Sequence, residues 1–291
     1  MTNQPYQTYK PGGKAPISGI LLLIIMTTIA GVIVGLIAAG VAQFVYLVLA
    51  FPIFMITIGT VIVGQTGKAG KIRNRPVLTL AGFWMGMVIY GTYWTGEYLF
   101  LVEDFYQEYR EDDYTRLDAL NEVNEGLLDD TGYPHTIGYA LWSIEGGLQL
   151  SGTSPGDDSS INLNPQQTAI YWSIEALAVV LLTGLMSFTY GNKPFSESCN
   201  KWYDKADTEF LGYVLNENGR TFVEYLRAGS LENAAQLVNT QGGDTEVSGY
   251  FFTDCNSDEV LLKAIRHQGR NTTEVDGIMS KSAYEHFKGL I

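Results

Sequence analysis

Residues 17–64, ISGILLLIIMTTIAGVIVGLIAAG followed by VAQFVYLVLAFPIFMITIGTVIVG, decide the fold. This stretch holds no charged side chain, and the next charge after it is Lys68. A bilayer core takes about 20 helical residues, so the stretch reads as two membrane-spanning helices with a tight turn between them. The turn is expected at Gly40–Gln43, where Gly40 relaxes the backbone and Gln43 is the strongly polar side chain nearby. A third span is expected over 77–100, opened by Pro76, and a fourth over 168–190, preceded by Pro165. A secretory signal peptide does not account for the N-terminus. The apolar run is too long for one, and a second span follows directly.

Charge sets the expected orientation. The chain has 291 residues, 18 Lys and Arg against 31 Asp and Glu, and a formal net charge of −13. These charges are strongly segregated, which excludes one uniform globular domain. The N-terminal tail, 1–16, carries Lys10 and Lys14 and no acid, and the loop after the second span carries Lys68, Lys71, Arg73 and Arg75 and no acid. By the positive-inside rule both flanks are cytoplasmic. Residues 101–167 hold fourteen acids against Arg110 and Arg116, nearly the whole net charge, and are expected outside. The fourth span then returns residues 191–291 to the cytoplasm. The segment 137–150, IGYALWSIEGGLQL, is short for a span and reads as an interfacial or re-entrant helix. As a fifth span it would move the tail outside. No basic face is present to displace counterions from phosphates, so nucleic acid is not an expected partner.

Four groups of residues in the membrane part invite a functional reading. Gly31-x-x-x-Gly35 and Gly82-x-x-x-Gly86 allow close helix approach. They serve either an interface with a partner or, the preferred reading, packing among this chain's own helices. Glu97 and Glu175 fall near the outer ends of the third and fourth spans. Acids within spans mark ion or proton sites by default, and two facing carboxylates share a proton or a cation. Against this, each follows an aromatic string, Tyr93-Trp94-Thr95-Gly96-Glu97 and Tyr171-Trp172-Ser173-Ile174-Glu175, as in an interfacial belt. The belt is the preferred reading, and Trp142-Ser143-Ile144-Glu145 is taken as a chance repeat of the letters. The cluster Lys68, Lys71, Arg73 and Arg75 lacks the glycine spacing of a phosphate loop and reads as an anchor for anionic lipid. The acidic loop lacks the alternate spacing of an EF-hand.

The tail, 191–291, is long enough to fold alone, and its 10 basic and 15 acidic residues suit a soluble domain. Helices are expected over 202–215, 220–227 and 231–238, strands over 246–253, 259–266 and 273–278, and a closing helix over 281–290. This order defines a small α+β module. Its two cysteines lie in Lys193-Pro194-Phe195-Ser196-Glu197-Ser198-Cys199-Asn200-Lys201-Trp202 and in Thr253-Asp254-Cys255-Asn256-Ser257-Asp258. A zinc ribbon holds its metal on two C-x-x-C turns, and the same offsets here are Ser196-x-x-Cys199 and Cys255-x-x-Asp258. This resembles the zinc-ribbon-like tail of uncharacterised bacterial multi-span membrane proteins, with its P-F-C-x-x-C-x-x-W run. The resemblance implies a ribbon with Ser196, Cys199, Cys255 and Asp258 at the ligand positions. Ser is a poor zinc ligand, so a ribbon that has lost its metal is preferred to a weak retained site. Two unrelated buried cysteines are a third reading.

No Ser-His-Asp set, His-Glu-x-x-His or usable Cys-His pair is present. His135, His267 and His286 are isolated. The chain therefore reads as an α-helical integral membrane protein of four transmembrane helices with a C-terminal soluble α+β domain. No enzyme activity or cofactor is expected. The expected role is a membrane-anchored scaffold or accessory subunit whose partners are lipids and other membrane or cytoplasmic proteins. The alternative is a small ion- or proton-handling subunit using Glu97 and Glu175.

Overall fold

The computed structural model describes residues 5–44, 50–110, 114–150, 161–268 and 271–291, with backbone alone at 149, 150, 161, 267, 268 and 271–275. The chain divides into two compact units, Gly13–Gly191 and a second made of Met1–Gly12 with Asn192–Ile291.

The first unit is helical. Its elements are α1 (Ile17–Ala42), α2 (Ala50–Ala69), α3 (Arg75–Tyr109), α4 (Arg116–Thr131), α5 (His135–Gly146), the short antiparallel pair β2 (Leu148–Leu150) and β3 (Ile161–Leu163), and α6 (Pro165–Ser187). Four helices are long and apolar enough to cross a membrane: α1, α2, α3, and α6 with its 3-10 extension to Asn192. Several boundaries differ from expectation. Helix α1 runs through Gly40 to Ala42 and a turn follows at Gln43 and Phe44, while residues 45–49 lie outside the described residues. Helix α3 begins at an Asn74 cap with Pro76 in its first turn and continues to Tyr109. At 1.5 Å per residue it is about 52 Å long, well beyond a hydrocarbon core of roughly 30 Å. Its extension stays helical because Val102 and Phe105 continue the apolar stripe and pack with Ala119, Val123 and Leu127 of α4. The segment expected as interfacial or re-entrant forms α5, whose 12 residues are too few to span.

Helix α3 is packed by α1 on one side and α6 on the other, and glycines set both distances. A Cβ on Gly31 would lie 2.8 Å from Val88 Cγ1, and one on Gly35 2.6 Å from the Ile89 carbonyl oxygen. On the opposite face of α3, a Cβ on Gly82 would lie 2.7 Å from Gly184 Cα, and one on Gly86 2.7 Å from Val180 Cα. These four glycines thus make close packing contacts within the chain. The core between the helices is apolar, with Leu23, Met55, Val63, Leu78, Met85, Ile89 and Val179 at its centre. The outward faces of α1 and α6 are also apolar: Leu21, Ile25, Ile29 and Ile33 on α1, and Ile170, Ile174, Leu181 and Leu185 on α6, are exposed.

The second unit is a six-stranded antiparallel sheet in the order β1 (Tyr6–Thr8), β10 (Asn271–Ser280), β9 (Glu259–Gln268), β8 (Thr245–Phe251), β6 (Asp207–Val214), β7 (Val238–Asn239). Helices α7 (Gly219–Ala228), α8 (Leu231–Ala235) and α9 (Lys281–Leu290) complete it, with the hairpin β4 (Phe195–Ser196) and β5 (Lys201–Trp202). Side chains alternate across a strand, so the sheet carries two cores. Val260, Leu262 and Ala264 of β9 face one side with Phe222, Leu226, Tyr284 and Phe287 of the helices, whereas Leu261 packs on the other with Tyr203 and Phe252. The expected strands and closing helix are present. The expected helix over 202–215 is not: β5, a 3-10 turn and β6 occupy it. Residues of β6 pair with β8 from Asp207↔Phe251 to Val214↔Thr245, with a bulge between Phe210 and Gly212. A ladder to a partner far along the chain outweighs the weak helical pattern of TEFLGYV. The helix expected over 231–238 ends early at Ala235, and β7 follows.

The N-terminal tail is not a separate segment. Tyr6 pairs with Met279 and its ring packs over Gly277, where a Cβ would overlap it. Strand β1 joins Tyr6–Thr8 in one sheet with the C-terminal domain.

Candidate functional site

The helical unit has chemically distinct ends. At one end α1 begins, α2 meets α3, and α6 finishes. Here the Arg73 N–H donates to the Lys14 carbonyl at 2.8 Å, a Cβ on Gly70 would lie 2.9 Å from Gly19 Cα, and the Arg75 guanidinium sits 5.1 Å from the Phe188 ring centre. The basic cluster is thus gathered at one end, but its members differ. Arg73 is buried at 5% exposure and does not belong to a lipid-facing anchor, while Lys68, Lys71 and Arg75 are partly exposed. The difference follows from the tight α2–α3 turn, which takes Lys71 to φ 54° and folds Arg73 back against the start of α1.

The opposite end carries α4, α5 and the β2–β3 pair. A capping box between Thr115 and Asp118 starts α4, and Gly132 in the left-handed region ends it. Arg116 makes a bidentate pair with Glu103 of α3 at 2.9 and 3.0 Å. Asn124 Oδ1 accepts from the Tyr98 hydroxyl at 2.8 Å and from the His135 N–H at 3.0 Å, tying α3, α4 and α5 together. The acids at 111–113 and 157–158 lie outside the described residues.

Glu97 and Glu175 occupy this end, and their environments differ. Glu97 Oε2 accepts from Gln43 Nε2 at the end of α1, at 3.0 Å. Its Oε1 is buried without a hydrogen-bond partner among the described residues. Glu175 is only 4% exposed. An interfacial belt would leave it wet, so that reading fails for Glu175. The Tyr90 hydroxyl donates to the Trp172 carbonyl at 3.2 Å across α3 and α6.

Glu97 also lines a cavity of about 410 Å³ together with Tyr93 and Trp94 of α3, Tyr139 and Trp142 of α5, and Trp172 of α6. The rings are contiguous. Trp94 meets Trp172 edge-on at 4.6 Å and Tyr139 at 6.0 Å, and Tyr139 stacks with Trp142 at 6.2 Å. Sequence reasoning missed this convergence although its signal was visible. Each of the three W-x-x-E strings supplies one tryptophan to the cavity wall, so the third occurrence, at Trp142, belongs with the other two. Three helices far apart in the chain had to be brought together before that meaning appeared.

In the sheet unit the expected metal ligands do not assemble. Cys199 and Cys255 form a disulfide, with Cα atoms 5.7 Å apart. Ser196 is buried and its hydroxyl accepts the Cys199 N–H at 3.2 Å, while Asp258 is exposed. Among the described residues no group of three or more His, Cys, Asp and Glu is placed to hold a metal. The two cysteines are therefore neither zinc ligands here nor unrelated, and their bond cross-links the loops that a ribbon would join by metal. Ser198 reinforces that link, bonding Ser257 Oγ at 2.8 Å and donating to Glu259 Oε2 at 3.0 Å. Lys201 pairs with Asp254, whose carboxyl is held below its ordinary range by that ammonium. The His135 ring stands edge-on to Tyr98 at 6.2 Å, His286 lies 3.5 Å from Glu232 Oε1, and the His267 side chain is outside the described residues. Comparison with protein-family models, with curated proteins and with solved structures finds no match.

Proposed function

We propose that this chain is a four-span integral membrane protein acting as a scaffold or accessory subunit. In this reading its sheet unit faces the cytoplasm as an interaction module, and its acidic end faces outward. The observation that carries the reading is the close packing of the helical unit. Glycine contacts bring α1, α3 and α6 together around a largely apolar core; of its buried polar side chains, which include Thr60, Glu175 and Thr183, those of Thr27 and Ser187 bond back to their own helices at 2.7 Å. Such an interior suits an anchor better than a conduit, because a conducting path needs successive polar partners. The sheet unit has its own two cores, as a module that is presented to partners requires.

Orientation rests on the gathered basic end, by the positive-inside rule. The Cys199–Cys255 bond pulls the other way, because disulfides persist in oxidising compartments. An impermeant thiol reagent, applied to intact cells after an impermeant reductant, separates the two. No labelling until the membrane is opened places the sheet unit inside, whereas labelling from outside reverses the whole arrangement. For function, the purified full chain in liposomes is expected to carry no cation or proton flux above empty vesicles. Gently solubilised from its native membrane, it is expected to migrate as an assembly larger than its own 32.1 kDa chain. A flux removed by Glu97→Gln or Glu175→Gln would put ion handling first.

A further inference from the structure

We infer that the aromatic cavity at the acidic end is a binding site for a small organic ammonium cation. Three observations converge on it. Five indole and phenol rings from three helices line the cavity beside Ala42, Ser143, Gly146, Gly147 and Leu148, and ring faces attract cations through their quadrupole. One carboxylate, Glu97, lines the cavity, and its Oε1 is a buried acceptor with no donor among the described residues. A buried acceptor of this kind calls for a partner. Finally, the volume of about 410 Å³ falls in the range of small-molecule sites.

The same features select the chemistry of the ligand. A metal ion of the calcium or magnesium kind needs about six oxygen ligands, and the side chains of this wall offer one carboxylate and the Ser143 hydroxyl beside the rings. An alkylated ammonium suits it better. Its charge is met by Glu97 and the ring quadrupoles, and its methyl groups lie against tryptophan and tyrosine surface. Gln43, bonded to the other carboxylate oxygen, acts as a positioning residue that fixes the Glu97 rotamer. Either a free quaternary ammonium compound or the headgroup of a choline lipid supplies this chemistry.

The test uses the full chain in a maltoside detergent, with tryptophan fluorescence as the signal. Choline is expected to give a saturable change. Its uncharged carbon isostere, 3,3-dimethylbutan-1-ol, is expected to bind about tenfold more weakly or worse, as loss of the charge term requires. Glu97→Gln should weaken choline by a similar factor while leaving the isostere unchanged, which separates lost charge from lost folding. Trp142→Ala, at a side chain already 44% exposed, should weaken both ligands with the helical circular dichroism intact. Nanodiscs distinguish the sources: a choline response suppressed by phosphatidylcholine but not by phosphatidylglycerol identifies a lipid headgroup as occupant, and an equal response in both identifies a free cation. Equal affinity for choline and its isostere, or no saturable response in a folded wild type, overturns the proposal.

Discussion

The helical unit and the sheet unit solve the problem of close approach in different ways. In the helical unit, glycines let backbone meet backbone: Gly82 faces Gly184 and Thr183 across α3 and α6, and a methyl group at Gly82 would have nowhere to go. In the sheet unit, Gly249 and Gly277 admit the rings of Tyr284 and Tyr6 onto the sheet. The first device suits helices in an apolar solvent, where contact between backbones replaces the hydrophobic effect as the source of association. The second suits water, where burying a large ring is itself stabilising by about 1.5–3 kcal/mol. The sheet unit adds a covalent cross-link over 56 residues of chain, which the helical unit lacks among its described residues.

The largest effect that can sharpen this comparison is removal of the cross-link. Under oxidising conditions Cys199→Ser is expected to destabilise the sheet unit by about 2–4 kcal/mol, since the unfolded loop is no longer closed. Limited proteolysis should show faster cleavage within 192–291 with the helical unit unaffected. Reduction of the wild type should give the same pattern, and a shared loss in both units would mean that they do not unfold independently. Next is Gly82→Ala, expected to cost about 1–3 kcal/mol by overpacking. Here the helical unit should be lost first in detergent unfolding, the reverse of the cysteine variant.

A smaller effect concerns Glu209, whose carboxyl is held below its ordinary range by Lys288 and by the Tyr284 hydroxyl, which donates at 2.9 Å. A group with a depressed folded pKa contributes stability above its unfolded pKa and loses it as pH falls through the folded value. The sheet unit should therefore weaken on acidification below the ordinary carboxylate range, and Glu209→Gln should flatten that part of the profile. A denaturation midpoint in the variant that still tracks pH there as in the wild type would refute the assignment. The smallest effect is a control within one helix. Gly91 of α3 has open space around its absent Cβ, unlike Gly82 and Gly86. Gly91→Ala is expected to be neutral or stabilising by up to about 1 kcal/mol, measured by the same detergent unfolding.

Some of this was legible from residues alone. The uncharged run through α1 and α2, the prolines opening α3 and α6, and the helix Lys281–Leu290 with its Ser280 cap follow from length, hydropathy and capping, which act within a few residues. Strands β8, β9 and β10 were legible through their apolar, β-branched runs. Strand β6 was not, because TEFLGYV carries a mixed period and its conformation is settled by pairing with β8. Of the site, Glu97 and Glu175 were singled out as acids in apolar helices, but their different surroundings were hidden.

By itself the sequence determined the four apolar helices and the separation of acidic from basic segments, because a long uncharged run has few stable forms other than a helix that satisfies its own backbone. The tertiary structure alone decided that Tyr6 pairs with Met279, that Cys199 meets Cys255 rather than a metal, and that Trp94, Trp142 and Trp172 wall one cavity around Glu97. Each of these joins residues distant in the chain. Local periodicity reports which face of an element is buried, whereas the partner it is buried against is chosen by the packing of the whole.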